Sequence, residues 1–234
     1  MTPLQNQNII SLKQFILGTL LILMFAPFLL GLLLKMVFAL HCTEQLFDNN
    51  SSLEITKNFS LTFSILLFSI YYISTNKYFY NLILSTLNFK SLSRGRTYIY
   101  ILIANIFVVL SGKVTNLISN DSANIQATNL GIDTLSEQSF IIYIITILTH
   151  VLLGPVLEEI LYRGIILRFL EIKYSFFTGL MISSLLFGLA HNYDFAFIIF
   201  ATLMGVIYGL LYKKTNSIIP VLIGHMTYNL YTFI

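Results

Sequence analysis

Apolar residues in this chain fall in long runs broken by short polar connectors. They show neither strict alternation nor the one-sided spacing of a surface helix. The runs are Phe15 to Leu34, Phe59 to Thr75, Thr97 to about Leu117, Phe140 to about Leu161, Phe176 to Ala190, Phe195 to Tyr212 and Ile218 to Ile234. A helix crosses the hydrocarbon layer with about 20 apolar residues, fewer if its ends are polar or buried in protein. Each run is therefore predicted to be a membrane helix, with Pro27 kinking the first. That first run is longer than a signal-peptide h-region. The residues before Cys42 form no small-residue cleavage site, so the run is read as a retained span.

The connectors differ in character. Residues 119–138 are uncharged to acidic. Residues 76–96 start at Asn76-Lys77 and end in SLSRGR. Their apolar middle, Tyr78 to Leu87, could lie in the interface as an amphipathic helix. No internal repeat or low-complexity tract divides the chain, so one integrated membrane domain is expected.

Composition agrees. The chain is 56% hydrophobic and 10% charged, against about 25% charged in soluble domains. The expected fold class is an all-α polytopic bundle of about seven transmembrane helices in a lipid bilayer, with no nucleic-acid partner. There are 14 Tyr, 20 Phe and no Trp, so any interfacial aromatic belt is built from Tyr. The single cysteine, Cys42, excludes an intrachain disulfide framework or a cysteine zinc site; it is read as a small buried or interfacial thiol.

Charge sets the expected orientation. With spans alternating, ten of the 13 Lys and Arg fall on the N-terminal side: Lys13, Lys77, Lys90, Arg94, Arg96, Arg163, Arg168, Lys173, Lys213 and Lys214. Lys35, Lys57 and Lys113 fall on the other. Cytoplasmic loops carry the positive excess, which places the N-terminus inside and the C-terminus outside.

Against this background one stretch stands out: GPVLEEILYRG, residues 154–164, puts Glu158, Glu159 and Arg163 at the end of an apolar run. Intramembrane charges cost about 2.5 to 3.5 kcal/mol each near the bilayer centre. Glu159 and Arg163 stand four apart on one helical face and can pair. Glu158 points about 100° away, is left over, and suits a general base. Charges at the cytoplasmic interface would be cheap, so this motif alone is a weak signal. FGLAHN (residues 187–192) ends the fifth run with His191 and Asn192, and GHMTYN (residues 224–229) sets His225 and Asn229 four apart in the seventh. Polar groups on three apolar helices point to a shared interior cavity. Counted from inner turns near Tyr174 and Ser217, Glu158, His191, His225 and Asn229 lie roughly 24, 26, 12 and 18 Å along their helices. Helix tilt and the Gly154-Pro155 kink can bring them together in a cavity expected to open to the cytoplasm.

Such a set suits amide hydrolysis without a covalent intermediate. A carboxylate and an imidazole can deprotonate one water, while a second imidazole and an amide donate to the oxyanion. No GxSxG elbow is present. Two histidines and a glutamate also form a conceivable zinc set. The chain has no HExxH, however, and the amide beside His225 looks more like a hydrogen-bond donor; no metal or cofactor is expected.

The three motifs, EExxxR (Glu158, Glu159, Arg163), FxxxH (Phe187, His191) and HxxxN (His225, Asn229), resemble the CPBP or Abi family. This is the family of CAAX-processing and bacteriocin-processing intramembrane proteases that includes the eukaryotic Ras-converting enzyme. The resemblance spans about residues 140–230; residues 1–139, with about three helices and their loops, carry none of it, and 140–234 form the catalytic core it implies. It implies a glutamate-dependent endopeptidase in which Glu158 and His191 activate water and His225 and Asn229 hold the oxyanion. Glu159 and Arg163 would support the glutamate, and Phe187 would pack beneath His191. The implied partner is a peptide or protein substrate, such as a secreted-peptide precursor or a prenylated protein. Some family members are associated with bacteriocin immunity, so a non-catalytic or scaffold role is the alternative.

Overall fold

A computed structural model describes residues 11–40, 50–130, 132 and 135–233; Cys42 lies outside them. The described residues form nine helices of eight residues or more, two short 3-10 turns (Phe89–Ser93 and Leu135–Glu137) and no strand. They are α1 (Leu12–Phe38), α2 (Asn50–Thr75), α3 (Lys77–Leu84), α4 (Gly95–Thr115), α5 (Ser122–Leu130), α6 (Phe140–Lys173), α7 (Phe176–Ala190), α8 (Phe195–Thr215) and α9 (Ile218–Tyr231). The architecture is the all-helical membrane bundle that the runs predict. Five helices, α1, α2, α4, α6 and α8, are long and apolar enough to cross a membrane. The other two runs make shorter helices, α7 with 15 residues and α9 with 14. At 1.5 Å per residue they reach roughly 21 to 23 Å, short of a hydrocarbon layer of about 30 Å. The fourth run continues well past Leu161, so the EExxxR motif sits inside a 34-residue helix rather than at its end.

The two prolines of the spans follow wide turns. In α1 a π-helical turn, Leu21–Phe25, stands immediately before Pro27. In α6 another, Leu148–Leu153, comes just ahead of Pro155, and a third follows at Ile160–Leu167. Proline cannot donate to the ladder, and its ring crowds the carbonyl four residues back. One extra residue in the preceding turn relieves that conflict, so the helices continue.

Small residues set how closely the helices approach. A Cβ on Gly205 of α8 would lie 2.8 Å from Ser184 Cα of α7, and one on Gly179 of α7 would lie 2.7 Å from the Leu167 carbonyl of α6. In a bilayer, helix association depends on such contact because lipid tails are as apolar as leucine. Large apolar side chains such as Leu102, Phe107, Phe140 and Ile141 point outward.

The amphipathic segment forms α3, capped by Asn76. Its apolar face, Phe79, Leu82 and Ile83, is buried in the protein core. Phe79 packs near Phe15 of α1, which stacks on Phe169 of α6 with ring centroids 3.6 Å apart. The following turn is tied to the start of α9: Ile218 N donates to Thr86 O at 3.0 Å, and Asn88 N to Ser217 Oγ at 3.2 Å. These contacts gather Lys13, residues 77–96, the end of α6 and the end of α8 at one end of the bundle, which is therefore the basic end.

Candidate active site

The structure brings together all four residues that the motifs single out for chemistry. Glu158, His191, His225 and Asn229 line one cavity of about 140 Å³. Glu158 Oε1 stands 3.8 Å from His191 Nε2, and its Oε2 stands 3.6 Å from His225 Nε2. Both gaps exceed a hydrogen bond, yet one water can touch the carboxylate and a ring together.

Each imidazole is held from behind. His191 Nδ1 lies 2.8 Å from the Phe187 carbonyl, one turn back. A carbonyl only accepts, so Nδ1 carries the proton and the neutral ring offers the lone pair of Nε2 to the cavity. His225 Nδ1 lies 2.8 Å from Glu159 Oε1, which also accepts from Arg163 Nη1 at 2.8 Å. Glu159 and Arg163 are each 1% exposed. Arg163 Nη2 donates to the Gly205 carbonyl at 3.3 Å, and the guanidinium lies 4.8 Å from the Phe187 ring centroid. Phe187 in turn sits 4.5 Å from the His191 ring. One carboxylate thus neutralises the buried arginine and orients a histidine. Its second oxygen, Oε2, has no partner among the described residues.

Asn229 Nδ2 donates to the His150 carbonyl at 2.8 Å, which leaves its second amide hydrogen for the cavity. His150 also lines the cavity, although no motif points to it. Its sequence does carry a signal, an ionisable group inside an apolar run. A second unforeseen group braces His225 from α4 and α8. The buried Tyr208 ring lies 5.4 Å from the His225 ring, and its hydroxyl donates to Asn105 Oδ1 at 3.0 Å. Asn105 Nδ2 donates to Thr227 Oγ1, also at 3.0 Å, two residues along α9 from His225.

The cavity is not at the basic end. Besides the core residues it is lined by Gln126, Leu130 and Ile132 from α5 and its sequel, Tyr193 from the α7–α8 turn, and Thr232 and Phe233 after α9. All of these belong to the opposite end of the bundle. These lining residues put the cavity toward the end of the bundle away from the lysine-rich face. The depths of Glu158 and His191, measured from the inner turns, already exceed half the layer.

At the α7–α8 turn, Asp194 caps α8 through Oδ1, which accepts from Phe197 N at 2.7 Å. Its Oδ2 accepts from Ser122 Oγ at 2.6 Å and Ser119 Oγ at 3.1 Å, fastening the start of α5 beside the cavity. The Ser122 bond, then the Phe197 amide, hold its carboxyl below the usual carboxylate range.

A lipid-embedded helical bundle with carboxylate, imidazole and carboxamide groups meeting in a polar cavity defines a class: a polytopic membrane protein with a hydrolase-like site. Comparison with known proteins narrows it. Residues 140–231 match the family described as type II CAAX prenyl endopeptidase Rce1-like. Over 88 residues the chain is 35% identical to the putative membrane peptidase YdiL of Bacillus subtilis, a match covering 38% of this chain and 36% of that protein. Over 84 residues it is 40% identical to the membrane-embedded CAAX protease MroQ of Staphylococcus aureus, covering 33% of this chain and 34% of that one. The matches thus span about a third of the length of these curated relatives. No solved structure matches the chain.

Proposed function

We propose that the chain is an intramembrane endopeptidase that cleaves a peptide bond with a water activated by Glu158 and His191. The observation that carries this reading is the placement of Glu158 within 3.8 Å of His191 Nε2 and 3.6 Å of His225 Nε2 in one cavity. The Glu158 carboxylate and the His191 lone pair are both acceptors, so a water between them directs both hydrogens at them. Its own lone pairs are then free to attack a carbonyl carbon. As the C–O bond forms, Glu158 takes the proton; as the tetrahedral intermediate collapses, it returns that proton to the leaving amine.

The oxyanion would be met by Asn229 Nδ2–H and His225. Because His225 Nδ1–H is engaged by Glu159, its Nε2 can donate only when the ring carries both protons. Glu159 thereby acquires a defined role, since its carboxylate fixes the orientation of His225. The match of residues 140–231 to that family and the names of the two relatives support a protease; the substrate we propose is a peptide or protein segment that reaches this cavity.

The test is peptide cleavage by the purified chain, with and without a strong chelator. Glu158→Gln and His191→Ala are each expected to lower kcat by about 10²- to 10⁴-fold. Asn229→Ala should cost roughly 10²- to 10³-fold. Full turnover in both the Glu158 and His191 variants would defeat the reading and favour a non-catalytic role.

A further inference from the structure

Away from the cavity, α4 and α8 run antiparallel and leave a groove on the lipid face. Gly112 approaches Phe200 at the cavity end. Toward the basic end the groove is flanked by Tyr100, Ile103, Phe107 and Leu210, over a floor made by the small, buried Ala104 and by Leu211. The space is about 330 Å³ and almost wholly apolar, except that Lys214 closes its basic end. Arg96 stands one helical turn below Tyr100 on the same face of α4, so a second cation flanks that end.

These two charges have no carboxylate to pair with among the described residues. The one described acidic residue at the basic end outside the catalytic cluster is Glu171, and it is already engaged by Arg168 at 2.9 Å and Lys213 at 2.7 Å. An apolar slot ending in two unneutralised cations is complementary to a molecule with one acyl chain and one anionic head. Basic pockets between membrane helices at the interface hold lipid headgroups by this chemistry.

We propose that this groove is a binding site for one anionic phospholipid. An acyl chain lies against Ala104, Phe107 and Leu210, and the phosphate meets Lys214 and Arg96. The site is independent of the peptidase reading. It lies on the outer face of the α4–α8 pair, whose inner face carries Asn105 and Tyr208.

The experiment is native mass spectrometry of the purified full chain with equimolar phosphatidylglycerol and phosphatidylcholine. The wild type should retain phosphatidylglycerol preferentially. Lys214→Ala or Arg96→Ala should each cut that preference roughly fivefold, and the double variant about thirtyfold. Lys214→Arg with Arg96→Lys should keep it, and Lys13→Ala, at the same end but outside the groove, should leave it unchanged. Inorganic phosphate in excess should not displace the lipid, because the acyl chain contributes to the hold. Equal retention of the two lipids by wild type overturns the proposal. So does an equal loss in the Lys13 control, which would reduce the effect to the general charge of that end.

Discussion

Arg163 shows what burying a charge demands of its neighbours. Its guanidinium is out of contact with lipid and water, and Glu159, the Gly205 carbonyl and the Phe187 ring surround it. Removing it strands a buried carboxylate, which costs about 3 to 5 kcal/mol. Arg163→Ala should therefore lower the unfolding temperature in detergent sharply, and Arg163→Ala with Glu159→Gln should regain part of the loss; a single variant as stable as wild type would contradict the pairing. Asp194 gives a pH-dependent counterpart outside the spans. Its carboxyl titrates lower folded than unfolded, so its contribution is complete above the unfolded value of about 3.9 and fades as pH falls through the folded one. Amide protection relative to the intrinsic exchange rate in residues 119–130 should fall below about pH 4 and lose that pH dependence in Asp194→Asn; an equal acid response in both proteins would show that the latch does not matter. At this scale the sequence is most readable. Glu158, His191, His225 and Asn229 announce themselves as polar groups in apolar runs. Asn105 and Tyr208 do not reveal their contacts, because an aromatic or a lone amide in a span has many ordinary uses.

Elements carry information of a different kind. Hydropathy locates the spans because burial in lipid imposes a minimum apolar length. It misses the π-helical turns, which arise from a local hydrogen-bond conflict rather than from polarity. It also runs past Tyr231, where the helix α9 ends. The bridge from α4 is invisible as well, since contact between Asn105 and Thr227 is a fact of packing. That bridge connects part of the chain outside the family-matched segment to the site. Asn105→Ala removes the acceptor of the Tyr208 hydroxyl, and losing a hydrogen bond of this kind costs about 1 to 1.5 kcal/mol. If the peptidase reading holds, kcat should fall roughly tenfold with KM little changed, and Tyr208→Phe should show a similar loss. A larger effect on KM than on kcat would place Asn105 in substrate binding instead.

For the molecule as a whole, the two ends differ. One gathers most of the lysines and arginines; the other holds the cavity mouth. The uneven charge is legible in the sequence, but charge carries no measure of how deep each polar group lies along its helix. The positive-inside rule puts the basic end in the cytoplasm, so the mouth is predicted on the opposite membrane face. In a Cys42→Ser background, a membrane-impermeant maleimide added to intact cells should label Thr232→Cys and spare Lys13→Cys; the reverse pattern would invert the topology. The abbreviated α7 has one more consequence. Because it stops at His191, well short of a full crossing, water from the mouth side must dip below the surrounding lipid to wet the glutamate. The acyl-chain length of the host bilayer then becomes a control on hydration of the site: thinner membranes shorten the descent, and thicker ones leave the carboxylate drier.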